Sequence, residues 1–389
     1  MPTHTHMPLW VFVVPLALIA MGWRLTCPRQ LRNRCLLATG LWLASACQAQ
    51  TGVQVGLRQM QSGDLPITLV YPTNVPPREL VQGAFTLQVS PDAPMLPASQ
   101  GRRSLIVLSH GSAGSAWPDH ALAATLARAG FVVAQPQHRA DNWQDYSRAG
   151  PESWKTRPQD VTETINAVAR DSVLGPLVRT DRVGVHGMSA GGVTALALAG
   201  AQWRMVDVIR HCAQFLEEDI GFCLNGLARH PVLQQMRRAQ FAMSQKLPEK
   251  FLPDAMRTAH GGTDPPDPRP DPRVAAISLL VPVGAIFTPE SLSRIRIPMG
   301  LTLAEGDKVL LPRFHSQHVL RHCTHCSVLS EHPAAGHFDW LSPWPDKVAQ
   351  TVAATQMRGG LPHAAFTDAQ RQSAFDRIAD FFARTLSTP

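Results

Sequence analysis

At 389 residues the chain is long enough for one large domain or two ordinary ones, and an apolar fraction of 44% supplies an ample core. The net charge of +7 is spread along the chain, with no basic run interleaved with aromatics, which argues against nucleic-acid binding. No repeat of supersecondary length recurs, and the 33 prolines gather in loop-like stretches.

Residues 1–49 read as targeting sequence. Leu9 to Trp23 is apolar, interrupted by Pro15 and short for a membrane span. Arg24, Arg29, Arg32 and Arg34 follow, then a second apolar run, Cys35 to Ala46, ending in Ala44-Ser45-Ala46. Basic region, apolar core and a small-residue end are the parts of a secretory signal peptide. Met7 or Met21 is an alternative start, which would make the first run a translated leader. An anchor built from Leu9–Trp23, or lipidation at Cys47, is the alternative reading, although Ala44 stands where a lipoprotein signal usually has leucine. Residues 50–389 then form the folded part of an exported protein, periplasmic or secreted.

Past the leader only Cys212, Cys223, Cys323 and Cys326 remain. An even number in two local pairs suggests disulfides Cys212–Cys223 and Cys323–Cys326, in keeping with export. His322-Cys323-Thr324-His325-Cys326, with His315, His318 and His332 nearby, is an alternative metal cluster, but zinc needs four well-placed ligands. Disulfides are preferred, and no metal or cofactor is assigned.

From residue 51 to 90, apolar positions alternate: Val53, Val55 and Leu57, then Ile67, Leu69 and Tyr71, then Phe85, Leu87 and Val89. They predict antiparallel strands at a sheet edge. Leu105-Ile106-Val107-Leu108 is a continuous apolar run, the sign of a strand buried on both faces. A helix over His120–Arg128, a strand over Phe131–Ala134, a helix over Pro158–Arg170 and a strand over Val183–His186 follow. Strand and helix alternating at this spacing imply a parallel α/β sheet.

The last of these strands enters Gly187-Met188-Ser189-Ala190-Gly191, a G-x-S-x-G pattern that opens a helix running to Gly200. A serine at the tip of a sharp strand-to-helix turn needs neighbours without bulk, and it gains helix N-terminal N–H groups suited to negative charge. Ser189 is therefore the candidate nucleophile. Acyl transfer needs two N–H donors for the oxyanion. Ala190 supplies one; the loop Gly111-Ser112-Ala113-Gly114 supplies the other, from Ser112 or, second, Ala113. His110 reads as a packed histidine rather than a base.

Residues 201–270 break the rhythm, with helical stretches Trp203–Leu216 and Leu233–Leu247 and a proline-rich end at Asp264–Pro272. They predict a helical lid insertion over the active-site end of the sheet; a subdomain without substrate contact is the alternative. Strands resume at Ala275–Leu280, Pro298–Ala304 and Ser327–Leu329, and Asp368–Leu386 predicts a closing helix with Phe375, Ile378, Phe381 and Phe382 on its core face. Asp307, after the second of these strands, is the candidate acid, with Glu305 behind it. His337, after the third, is the candidate base, with His332 behind it.

The runs Leu108–Gly114, Gly130–Ala134 with His138-Arg139-Ala140-Asp141-Asn142, Arg157-Pro158-Gln159-Asp160-Val161 and Val183–Gly192 together resemble the bacterial predicted dienelactone hydrolase group, related to platelet-activating-factor acetylhydrolases. The similarity spans roughly residues 51–385. It implies an α/β-hydrolase fold, serine-dependent ester hydrolysis and no metal cofactor. True dienelactone hydrolases use cysteine where this chain has Ser189, and the acetylhydrolases place their acid after an earlier strand than Asp307 follows. The expected function is a serine hydrolase of a small or lipid-like carboxylic ester, with membrane contact only through the leader or Cys47. The rivals are an amidase or peptidase with the same triad, a non-catalytic exported binding protein and, more distantly, a zinc hydrolase built on His315–His332.

Overall fold

Leu105-Ile106-Val107-Leu108 has no wet side, and the molecule is built outward from it. The computed structural model describes residues 52–224, 230–244, 246–258, 270–354 and 359–387. The targeting segment, Cys47 and most of the proline-rich end of the insertion lie outside the described residues.

In chain order the elements are β1 (Gln54–Ser62), β2 (Leu65–Thr73), β3 (Arg78–Gln82), β4 (Phe85–Pro91), β5 (Arg103–Ser109), α1 (His120–Arg128), β6 (Val132–Pro136), α2 (Pro151–Arg170), β7 (Val178–Met188) and α3 (Ala190–Leu198). The insertion carries α4 (Met205–Phe215), α5 (Ile220–Cys223), α6 (Pro231–Ser244) and α7 (Asp254–Arg257). Then come β8 (Val274–Leu280), α8 (Pro289–Ser293), β9 (Met299–Ala304), α9 (Ser316–His322), β10 (Cys326–His332), α10 (Asp346–Ala354) and α11 (Asp368–Leu386).

The strands join one sheet in the order β10-β9-β8-β7-β5-β6-β2-β1-β4-β3. From β10 to β6 every pairing is parallel; β2 turns antiparallel against β6. Because strand side chains alternate, β5 feeds two cores: Leu105 and Val107 pack with α2 and α3 residues such as Val161, Ile165 and Val193, while Ile106 and Leu108 pack with Leu122 and Leu126 of α1 and Phe375 and Phe382 of α11. Helices on both faces explain why these strands read as unbroken apolar runs. All nine residues of α3 are buried, which its Ala, Gly, Val and Leu content permits. A capping box between Thr367 and Gln370 fixes the start of α11.

Three details differ from the sequence reading. β4 joins the sheet in parallel, on β1 with Gly56 opposite Ser90, rather than antiparallel, because β1 and β6 hold both edges of β2 and the β3–β4 hairpin docks on the free edge of β1. β3 itself shows no apolar alternation and went unread. Finally, α2 starts at Pro151, and Pro158 sits inside it. Proline suits the first helical turn, and two prolines compete for that place; Pro151 takes it.

The insertion is helical. The sulfurs of Cys212 and Cys223 are bonded, tying α4 to α5 with Cα atoms 5.4 Å apart, and those of Cys323 and Cys326 are bonded between α9 and β10. A Cβ on Gly221 would overlap the carbonyl of Val309, so α5 rests directly on the segment that follows β9. Phe222 of α5 also stacks on Trp154 of α2, ring centroids 6.3 Å apart. Among the described residues, no helix is long and apolar enough to cross a membrane.

Candidate active site

β7 delivers Ser189 with φ 54° and ψ −117°, a backbone state that a non-glycine residue holds only when its surroundings enforce it. Here they do. The Ser189 N–H donates to the Leu280 carbonyl at 3.1 Å, and the Ser189 carbonyl accepts from Gly192 at 2.9 Å and Val283 at 3.1 Å. A Cβ on Gly191 would overlap the carbonyl of Ser109, so the pattern's last glycine is a steric requirement.

Ser189 is half-buried, and its Oγ lies 3.1 Å from His337 Nε2. His337 Nδ1 lies 2.8 Å from Asp307 Oδ2. With Nδ1–H donating to the carboxylate, Nε2 is left as acceptor for the Ser189 hydroxyl. The second oxygen of Asp307 accepts from the N–H groups of Val309 and Leu310 at 2.8 and 2.9 Å. Asp307 and His337 are both nearly inaccessible, and their loops are joined by the Gly306 N–H to the Ala335 carbonyl at 3.0 Å. The relay can therefore draw a proton off Ser189 without first moving a side chain.

The expected oxyanion donors flank this serine. Ala190 opens α3, where N–H groups have no partner within the helix and the helix dipole favours negative charge. Gly111 lies on the other side; a Cβ built on it would meet the Ser189 Cβ at 3.5 Å. Ala113, the second choice, is unsuitable because its N–H donates to Asp141 Oδ1 at 2.8 Å. Ser112 N–H and Ala190 N–H make no hydrogen bond to other described residues.

The remaining candidates are elsewhere engaged. Glu305 accepts from Gln317 at 2.6 Å, and His332 packs on Trp340 and Phe366, with centroids 5.1 and 5.4 Å away. His110 is packed, as read: Nδ1–H donates to the Gly111 carbonyl at 2.7 Å and Nε2 accepts from His138 N–H at 3.3 Å. Burial, with the charge of Arg157 nearby, holds it well below the ordinary histidine range.

The residues of the metal reading do not form one ligand group among the described residues, although His318 and His322 meet with ring centroids 4.8 Å apart. His318 bonds the Phe287 carbonyl, and both cysteines are in a disulfide. His315 instead meets His211 and Asp219, their ligand-type atoms within 4.8 Å of one another. The Gly284 N–H donates to His315 Nδ1 at 3.1 Å, which puts the ring proton on Nε2. That proton and the one on His211 Nε2 point at Asp219 Oδ2, at 2.9 and 2.8 Å. His315 thus offers Asp219 a proton rather than offering a metal a lone pair. Burial opposes the Asp219 charge, but the two histidine bonds prevail and hold the carboxyl at about 2. The cluster fastens the insertion to the loop before α9.

Two groups escaped the sequence reading. One is a second Ser–His–Asp chain, Ser109–His138–Asp160. The other is the pair Asp141 and Arg157 beneath the oxyanion loop. Their only signal was polar residues in three runs noted for resemblance, Leu108–Gly114, His138–Asn142 and Arg157–Val161.

Comparison with known proteins agrees with the fold. Among solved structures, a ferulic acid esterase from Streptomyces cinnamoneus superposes with a TM-score of 0.52 at 16% identity, over 88% of this chain and 95% of that one. At that identity the likeness is one of fold: a mostly parallel sheet flanked by helices. A search of curated proteins finds no match. The model of the alpha/beta hydrolase family matches residues 106–354, more than half of the sequence and a stretch that contains Ser189, Asp307 and His337. By that match, and with the sheet order to go with it, the chain belongs to the alpha/beta hydrolase family.

Proposed function

We propose that the chain is a serine-dependent hydrolase of carboxylic esters that works through an acyl-enzyme. The observation that carries the reading is the unbroken relay from Ser189 Oγ through His337 to Asp307, at 3.1 and 2.8 Å, beside two uncommitted backbone N–H groups. His337 Nε2 takes the hydroxyl proton as Ser189 Oγ attacks the ester carbonyl. Asp307 keeps the imidazole in the right tautomer and stabilises its cationic form. The Ser112 and Ala190 N–H groups receive the oxyanion; losing one such donor typically costs about 3–4 kcal/mol of barrier. Collapse passes the proton from His337 to the departing alkoxide. Water, deprotonated by His337, then attacks the acyl-serine and releases the acid.

The narrower kinship with the predicted dienelactone hydrolase group rests on the sequence motifs. An exported location fits the two disulfides, which persist in oxidising compartments. The test is a panel of matched p-nitrophenyl esters and p-nitroanilides with wild type and Ser189→Ala. Ester turnover that vanishes in the variant, with little anilide cleavage, is the expected result. Anilide cleavage at a comparable rate would make the protein an amidase, and ester turnover surviving in Ser189→Ala would end the serine mechanism.

A further inference from the structure

The oxyanion loop does not hold its own shape. Arg157, on α2, is fully buried and reaches it from below. Its Nη1–H donates to the His110 carbonyl at 2.6 Å, and its Nη2–H to the carbonyls of Gly111 at 3.1 Å and Asp141 at 3.3 Å. Its Nε–H donates to Asp141 Oδ2 at 3.0 Å. Asp141, equally buried, turns its other oxygen to the loop: Oδ1 accepts from Ser112 Oγ–H and from Ala113 N–H, both at 2.8 Å. Ser153 Oγ–H completes the carboxylate from α2 at 2.5 Å. Four consecutive residues, 110 to 113, are thus each bonded to one buried ion pair.

We infer that Asp141 and Arg157 are positioning residues that aim the Ser112 N–H at the oxyanion, an inference that rests on the proposed ester hydrolase reading. The argument is one of peptide geometry. In a planar trans peptide the carbonyl and the next N–H point in opposite directions. The Gly111 carbonyl is fixed by three donors: Arg157 Nη2, His110 Nδ1 at 2.7 Å and Gly114 N–H at 3.1 Å. All three draw it to one side, so the N–H of that same peptide, which belongs to Ser112, is turned to the other and left unbonded. The next peptide is locked by Asp141, which takes the Ala113 N–H and holds Ala113 at φ 53°, a left-handed state that alanine rarely adopts. Together they explain why one N–H of this loop is spent and its neighbour is free.

Stability alone does not account for such a pair. Buried ion pairs are commonly no more stabilising than apolar residues of the same volume, because both charges must be stripped of water. The pair's distinctive product is the direction of four backbone groups. Lysine would keep the charge but not the fork that reaches two carbonyls and a carboxylate at once.

The experiment uses the whole protein with Arg157→Lys and Ser112→Ala, the second removing only the hydroxyl bond to Asp141. Active sites are titrated with a fluorophosphonate so that kcat is expressed per competent serine. We expect kcat per site to fall about 10²-fold in Arg157→Lys, the size of one lost oxyanion donor. We expect about tenfold in Ser112→Ala, with KM little changed in both. The pH–rate profile should keep its position, since neither change touches His337 or Asp307. Affinity for a trifluoromethyl ketone, which forms an oxyanion on Ser189, should fall in step with kcat/KM. A purely structural role predicts fewer titratable sites with normal kcat per site; kcat per site within twofold of wild type in both variants overturns the inference. If wild type turns over no ester at all, the proposed function falls instead. Hydrogen exchange across residues 109–116 then decides the inference separately: faster exchange in Arg157→Lys supports it, and unchanged exchange refutes it.

Discussion

Two Ser–His–Asp chains lie on neighbouring strands of this molecule, and they share the same connectivity. In one, Ser189 Oγ meets His337 Nε2 at 3.1 Å and His337 Nδ1 meets Asp307 at 2.8 Å. In the other, Ser109 Oγ meets His138 Nε2 at 2.8 Å and His138 Nδ1 meets Asp160 at 3.1 Å. What separates them is everything around the relay. Ser189 is half-buried at the tip of a strained turn, next to free N–H groups. Ser109 closes β5 in regular strand geometry, 1% exposed, where no carbonyl carbon can approach it. His138 is wholly enclosed, and burial pushes it well below the ordinary histidine range, which disfavours the charged form that attack by Ser109 would require. Asp160 is shared with Arg139, which bonds it through both backbone and side chain. The lesson is that hydrogen-bond connectivity does not make a nucleophile. Access, oxyanion donors and a histidine free to take up charge do.

The comparison breaks most readily at the serines. Ser189→Ala should lower kcat on the order of 10⁶-fold with little change in folding. Ser109→Ala should leave kcat per folded molecule within about threefold while costing about 1–3 kcal/mol of stability, because His138 Nε2 is left unpaired in the interior. Kinetics and urea melts on the two variants read both halves. At the carboxylates, Asp307→Asn should cost about 10⁴-fold in kcat by freeing the wrong imidazole tautomer. Asp160→Ala should instead destabilise by about 1–3 kcal/mol, since it leaves the enclosed His138 Nδ1 and the Arg139 backbone N–H unpaired while the Arg139 side chain keeps Asp64 and Glu163; an activity loss per folded molecule like that of Asp307→Asn would erase the distinction.

The last effect is a pH dependence of stability. Burial holds His186 at about 3, and His110 and His138 are displaced in the same direction. In the unfolded chain these histidines take up protons near pH 6.5. Their contribution is therefore fully present above pH 6.5 and is lost as pH falls toward 3, where the unfolded state binds protons that the folded state refuses. From pH 6.5 to 4.5, His186 alone accounts for about 2 kcal/mol. Urea midpoints should fall over that interval, and a flat profile would mean these rings are not held neutral.

Two members of the site were legible because buried strands end at them. Ser189 and Asp307 each follow a buried apolar run, and G-x-S-x-G marks a turn that only small residues can make; His337 follows the largely exposed edge strand β10 and was read from its place after the other two. The central strands and α11 were legible for the same reason, their apolar side chains having one place to go. Arg157 and Asp141 were not, since their partners lie 46 and 28 residues away along the chain and meet only through α2 packing. Reading Pro158 as the helix start hid this further by leaving Ser153 and Trp154 outside the helix. β3 was silent because an edge strand with Val81 63% exposed has little apolar pattern to show.

The central claim, that one of two equivalent-looking serines is the nucleophile, is tested most directly by fluorophosphonate labelling of the full protein, read by intact mass and peptide mapping. The account predicts a single adduct, on Ser189, with the peptide containing Ser109 unmodified. An adduct on Ser109, or none on folded protein with both disulfides intact, would contradict it.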